Sequence, residues 1–357
     1  MAVSFKRIAS AAAALVLSFG LALPTQAAEK KDFKIAWTIY AGWMPWPYAQ
    51  QAGIVKKWAD KYGINIELVQ VNDYVESINQ YTAGKFDGVV VTNMDTLTIP
   101  AAGGVDTTVL IIGDYSDGND GVVLKKGKTL KDIRGQKVNL VELSVSHYLL
   151  ARALDSVKLA EKDIKTVNTS DADIVAASNS SDVTALVTWN PQLAEVLKAP
   201  GSVEIFDSSK IPGEIMDYTV VNTETLKDNP ALGKALVGAW FETMAIMNKN
   251  DAAGQAARAE MAKLSGTDLP GYEAQLKTTH MYYEPKAAVA HARSADIVKA
   301  MDLVRTFSFD HGLLGEGAKS KDVVGIVFPN GKLLGDPDNV KMRIDDRFQE
   351  LAADGKL

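Results

Sequence analysis

From Lys34 onward, short apolar runs alternate with segments whose apolar residues recur every three to four positions, as strands alternate with amphipathic helices. The pattern predicts a strand over 34–38, then a helix over 48–62 stopped by Gly63. Strands are expected at 64–71, 88–91 and 109–112, with a helix over 74–83 ended by Gly84. Val89-Val90-Val91 shows no polar alternation, as expected where a parallel sheet is covered on both faces. A second series follows Gly121, with strands at 138–141, 185–188, 203–206 and 218–221 and helices at 147–157 and 191–197. At Asn229-Pro230 an N-cap precedes a proline at the first helical position, and Leu232, Leu236, Trp240 and Met244 mark one face of a long helix. The rest of the chain reads as helix, with 324–327 the main exception.

This order predicts an α/β protein of two parallel-sheet lobes, crossed twice by the chain and completed by a helical C-terminal segment. The crossings are expected at 114–121 and 213–222. One lobe then comprises 29–118 with 220–357, and the other 119–219. Ligands of open α/β sheets bind beyond the carboxyl ends of the strands, so the loops there are where chemistry is expected.

Residues 1–28 stand apart from this pattern. Lys6 and Arg7 precede an apolar stretch from Ile8 to Leu23, and Pro24 to Ala28 supplies small residues for cleavage near Ala27 or Ala28. The expectation is a signal peptide and a periplasmic protein. Its loss leaves 36 basic against 44 acidic residues, a net charge of −8. That acid excess argues against a nucleic-acid partner. The chain has no cysteine, which excludes disulfides, thiol catalysis and cysteine-ligated metal. Its four histidines are not spaced as metal ligands, the 114–121 turn lacks the glutamate that ends a calcium loop, and no phosphate loop or nucleophile triad is visible. No cofactor or metal is expected.

The predicted strand ends hold the candidate chemistry. Tyr40, Trp43, Trp46 and Tyr48 crowd a loop stiffened by Pro45 and Pro47, which suits a stacking surface or cation cage as well as a hydrophobic plug. At least one of Tyr40, Trp43 and Trp46 is expected to line a site. Asp95 reads as a helix cap that can also face a ligand. Asp114 opens the first crossing and Asp217 lies on the second.

One pair of motifs carries a family resemblance. Leu130-Lys131-Asp132-Ile133-Arg134-Gly135-Gln136-Lys137-Val138 precedes Ser144-Val145-Ser146-His147-Tyr148-Leu149-Leu150, and Ala185-Leu186-Val187-Thr188-Trp189-Asn190-Pro191 follows. These resemble the signatures of ABC-importer solute-binding proteins of the nitrate/sulfonate/taurine type. The segments 307–314 and 343–348 are similar to the urea-carboxylase-associated subgroup, linked to urea or guanidine uptake. The resemblance implies a bilobed periplasmic-binding-protein fold of type 2, a monomer that closes over a small ligand, and partners in a membrane permease and its ATPase. It also implies site positions at Ser144, His147 and Trp189, although His147 by itself reads as a packing or capping residue. Where relatives carry glycine, this chain has Glu142-Leu143-Ser144, and a carboxylate there would repel an anion. Asp95, Glu142, Glu214 and Asp217 crowd the candidate loops with no Arg or Lys beside them. The expected ligand is therefore guanidinium, or urea of the same shape, held by carboxylates and aromatic faces without chemical conversion. The alternatives are a receptor for taurine, an alkanesulfonate or nitrate, a sensor without transport, or an enzyme like the thiamine-pyrimidine synthase, which the absence of cysteine disfavours.

Overall fold

The computed structural model describes residues 30–329 and 331–357, and in it the apolar runs form two separate sheets. The signal peptide expected at 1–28 lies outside the described residues. The chain first lays down β1 (Asp32–Trp37), β2 (Asn65–Gln70), β3 (Gly88–Thr92) and β4 (Thr107–Ser116). Between them run α1 (Pro45–Gln51), α2 (Ile54–Lys61), α3 (Tyr74–Thr82) and α4 (Asn93–Thr96). The single helix predicted at 48–62 is two, because Gly53 takes a left-handed φ of 73° that breaks the ladder there.

Residues 117–119 then lead directly into a second sheet of β5 (Asp120–Leu124), β6 (Lys137–Leu140), β7 (Lys165–Asn168), β8 (Ala185–Trp189) and β9 (Val203–Asp207), ordered β7-β6-β8-β5-β9. The helix α5 (Val145–Ser156) follows β6. After β9 the chain returns as β10 (Met216–Asn222), which lies between β3 and β4 in the first sheet. The last strands are β11 (Thr279–Met281), β12 (Gly325–Val327), β13 (Leu333–Leu334) and β14 (Val340–Ile344). The first sheet is ordered β13-β12-β14-β4-β10-β3-β1-β2, with β11 also on β4.

Two features differ from the sequence pattern. The sheets are mixed, since β10 is antiparallel to β3 and β4, and β5 is antiparallel to β8 and β9. Each of these strands arrives straight from the other sheet without a crossover helix, so it enters its new sheet from the opposite end. The second passage between sheets is therefore 208–215, ahead of the boundary expected at 219–220. The C-terminal third is also less helical than expected: β14 pairs in parallel with β4, and β11 pairs with its far end.

The core of the first sheet is the buried triple of β3, β10 and β4, whose runs Val89–Val91, Val220–Val221 and Val109–Ile112 are almost wholly inaccessible. Trp240, on the helix Pro230–Met247, packs on Trp46 at 5.0 Å. Gly88 opens β3 because a Cβ there would lie 2.5 Å from the backbone oxygen of Val220 on β10. A Gly88→Ala chain should thus lose about 1–3 kcal/mol of stability through overpacking, read as a lower urea midpoint at unchanged slope.

Candidate functional site

The site is set by where β4, β5 and β10 exchange sheets. Asp114 and Asp217 are register partners on β4 and β10, and Asp120 opens β5 just beyond the first passage. With Asp95 they are 0–3% exposed, a burial that an isolated carboxylate avoids. Asp114 and Asp217 are close enough for a proton on one to bond the other, and the Oδ2 atom of each has no hydrogen-bond partner. Burial pushes Asp114 up to about 7, against a hydrogen bond from Asp217. It also pushes Asp120 up to about 7, despite a 2.5 Å hydrogen bond from Ser116 Oγ. Asp217 is raised well above the usual carboxylate range, by burial first and then by the Asp114 charge.

Aromatic rings enclose this floor. Trp43 donates from Nε1 to Asp217 Oδ1 at 3.1 Å, and Tyr40 donates to Asp114 Oδ1 at 3.4 Å. Tyr40 meets Trp43 edge-on at 5.1 Å, Trp43 meets Tyr74 at 5.8 Å, and Tyr74 meets Trp189 at 5.6 Å. Between these four rings, Asp120 and Asp217 lies a small cavity of about 20 Å³, closed elsewhere by Thr92, Val145 and Ile215. No Lys or Arg lines it. The fold brings the two halves together here: Tyr40, Trp43 and Tyr74 belong to the first sheet's connections, whereas Trp189 ends β8 and Val145 starts α5.

The other expected site residues fall elsewhere. Trp46 is a fully buried plug whose Nε1 donates to Thr219 Oγ1 at 3.2 Å, whereas Tyr40 and Trp43 of the same aromatic run line the cavity. Asp95 does not cap α4; Thr92 does, and the Asp95 carboxylate instead accepts from Tyr74 Oη at 2.7 Å and Thr92 Oγ1 at 2.8 Å. Ser144 caps α5, accepting from the Ser146 N–H and donating to the Val141 carbonyl, and is not in the cavity wall. Glu142 is half-buried and also absent from that wall. Glu214 is neutralised by a bidentate pair with Arg152, a residue two turns into α5 and outside the loops searched in the sequence.

His147 faces away from the cavity and meets Glu161 and His311, a grouping that chain spacing had concealed. Ligating atoms of the three lie within 4.8 Å of one another. The Leu143 N–H donates to His147 Nδ1 at 3.1 Å, which leaves the ring proton on Nε2, the atom a metal would need. His311 Nε2 bonds the Glu161 carboxylate at 2.6 Å and His147 Nε2 lies 3.4 Å from it, and the two histidines pull Glu161 down to about 2, His147 contributing most.

Tyr74, Thr92, Asp120, Val145 and Ile215 were missed as cavity residues. Asp120 was indistinguishable from turn chemistry, and Tyr74 from the apolar face of α3. None had a local signal, because the cavity is assembled from segments remote in sequence.

No curated protein matches the chain by sequence. Among solved structures, the alkanesulfonate-binding protein SsuA from Xanthomonas axonopodis, bound to MOPS, superposes with a TM-score of 0.66 at 16% identity, covering 81% of this chain and 96% of that one. The aliphatic sulphonate-binding protein SsuA from Escherichia coli gives 0.66 at 18% identity, covering 82% and 95%. The nitrate-binding protein NrtA from Synechocystis gives 0.57 at 12% identity, covering 92% and 99%. These likenesses establish the two-sheet periplasmic-binding-protein fold. The NMT1-like family profile matches residues 26–264, most of the chain and all of the cavity wall, and the protein belongs to that family.

Proposed function

We propose that this protein is the periplasmic solute receptor of an ABC importer and that its ligand is guanidinium, with urea the nearest competitor. The observation that carries the ligand is the buried set Asp114, Asp120 and Asp217 beneath an aromatic box with no basic residue in its wall. Buried carboxylates at this density need a cation or protons. Guanidinium supplies both a charge and a planar N–H fork for carboxylate oxygens, while its faces lie against aromatic rings. The cavity of about 20 Å³ has room for little more than a water molecule, so a ligand of even a few heavy atoms enters only as its walls part. The structural neighbours include sulfonate- and nitrate-binding proteins. An anion in this cavity would face Asp120 and Asp217 with no cation opposite, which argues against the same ligand class here. Ligand acts by shifting an open–closed population, and the closed receptor, a monomer, docks on the permease and its ATPase. No step of chemical conversion is proposed.

Calorimetric titration with guanidinium, urea, taurine and nitrate tests the reading: guanidinium should bind and the two anions should not. Asp217→Asn should weaken guanidinium by about 2–5 kcal/mol, the scale of breaking a buried charged pair, and weaken urea less. Tight nitrate or taurine binding with inert guanidinium would overturn the assignment, and conversion of the bound ligand would overturn the receptor role.

The pH dependence has a definite sign. Asp114 and Asp120 hold protons up to about pH 7 without ligand, and a bound cation favours their charged forms. Guanidinium affinity should therefore rise from pH 5 to 8, with proton release visible as a dependence of the binding enthalpy on buffer.

The same shift bears on folding. A carboxyl whose folded value lies near 7 stabilises the fold fully only below its unfolded value near 4, and that contribution is lost as pH climbs through 7. Asp114→Asn should accordingly raise the melting temperature of the unliganded protein at pH 8, with little change at pH 4, while removing guanidinium binding.

A further inference from the structure

Positive charge gathers at one end of the second sheet. Six basic residues and one acid fall within 125–137, a charge of +5 in a chain whose charge without 1–28 is −8. β5 starts at Asp120 beside the cavity and runs away from it, while β6 and β7 run back towards it from Lys137 and Lys165. The 125–137 segment therefore lies at the end of the sheet opposite the cavity, and Lys126, Lys128, Lys131, Arg134 and Lys137 are all exposed there. Lys137 and Lys165 are register partners on neighbouring strands, a like-charge pair that weakens the sheet unless an anion lies over it. The Gly135 N–H bonds the Asp163 carbonyl, which brings the exposed Lys162 to the same end.

The nearby acids do not neutralise this charge. Asp132 Oδ2 accepts from the Lys128 and Thr129 N–H groups and from Thr129 Oγ1, each at 2.9 Å. Asp163 accepts from Arg134 at 2.8 Å and from the Ala160 N–H at 3.0 Å. Asp182 alone is left, in a depression it shares with Lys126, Arg134 and Lys137. Lysines elsewhere are paired, as Lys34 with Glu67, Lys56 with Asp60 and Lys263 with Glu260, but Lys126, Lys128, Lys131, Lys137, Lys162 and Lys165 make no ion pair with a described residue. Nor does the face offer an apolar anchor. Leu130 and Ile133 are buried, and the exposed large apolar side chains of the described residues are Leu143, Leu303 and Leu333. A protein partner is gripped through a desolvated apolar and aromatic centre, which is missing here. Lysines act as point charges without a fixed geometry, which suits a carpet of phosphates.

We infer that this end of the second sheet is an electrostatic docking surface for an anionic phospholipid membrane. The other residues beyond 28, with 30 basic against 43 acidic, carry −13 and are repelled by the same membrane, so the molecule approaches it basic end first. That the membrane is the one holding a permease rests on the receptor reading; the attraction to lipid does not.

Vesicle sedimentation tests this. Protein recovered from the periplasm of a host expressing the full chain should sediment with vesicles of phosphatidylcholine mixed with phosphatidylglycerol, and not with phosphatidylcholine alone. Binding present at about 50 mM salt should vanish at about 500 mM, where screening acts within a few ångströms. The combined change Lys126→Gln, Lys128→Gln and Lys131→Gln should weaken vesicle binding about a hundredfold. Equal neutralisation at the exposed Lys85, Lys227 and Lys249, outside this face, should leave it nearly unchanged. None of the six lies in the cavity wall, so melting temperature and ligand titration should match the parent in both variants. Inorganic phosphate at matched ionic strength should displace the vesicles no better than chloride. Much stronger displacement by phosphate overturns the surface in favour of a discrete anion pocket. Indifference to phosphatidylglycerol overturns the membrane as partner and turns the search to an acidic protein face. Equal losses from the two sets of substitutions would mean that net charge, and not this face, governs binding. A parent protein that fails to bind guanidinium sinks the ligand assignment and leaves these vesicle results to decide the docking surface.

Discussion

Two aspartates facing each other across the β4–β10 pair are the constraint to which the rest of the site answers. Their strands are held in register by the most deeply buried apolar runs in the first sheet, so Asp114 and Asp217 cannot draw apart to relieve their repulsion. Asp120, anchored by Ser116 at the mouth of β5, adds a third acid to the same field. Core packing thus offsets an electrostatic cost that the isolated site could not sustain, and protons or a bound cation relieve it.

The aromatic residues are arranged around the acids in pairs. Trp43 is tied to Asp217, Tyr40 to Asp114 and Tyr74 to Asp95, each through its polar edge. A ring pinned by its edge keeps its orientation, and its face remains available to a flat ligand. The carboxylates thereby fix the aromatic box as well as supplying charge. Trp189 reaches the box from the second sheet and needs no such tie, since its strand partner there is Asp120 itself.

Much of the fold was legible because its strands are short apolar runs punctuated by glycine, the pattern of a covered sheet. What escaped was of two kinds. Strands such as β7 and β14 alternate Lys, Arg or Asn with apolar residues and are only partly buried, so their periodicity is too brief to separate from helix. Site residues escaped when their role depends on a remote partner: Asp120 looks like a turn until Ser116 and Trp189 surround it, and Glu214 looks like a free acid until Arg152 reaches it. Trp43 and Trp46 are three residues apart in the sequence, and only the presence of Asp217 beside one and Trp240 beside the other assigns them to cavity and core.

The three acids of the floor all lie on strands that begin or end at the passages between the two sheets. Asp114 and Asp217 are register partners in the first sheet and keep their spacing whatever the other sheet does, whereas Asp120, Trp189 and Val145 belong together to the second. Under the proposed receptor reading, a ligand touching both groups spans the joint between the two sheets, so its residence time is set by how long they stay together.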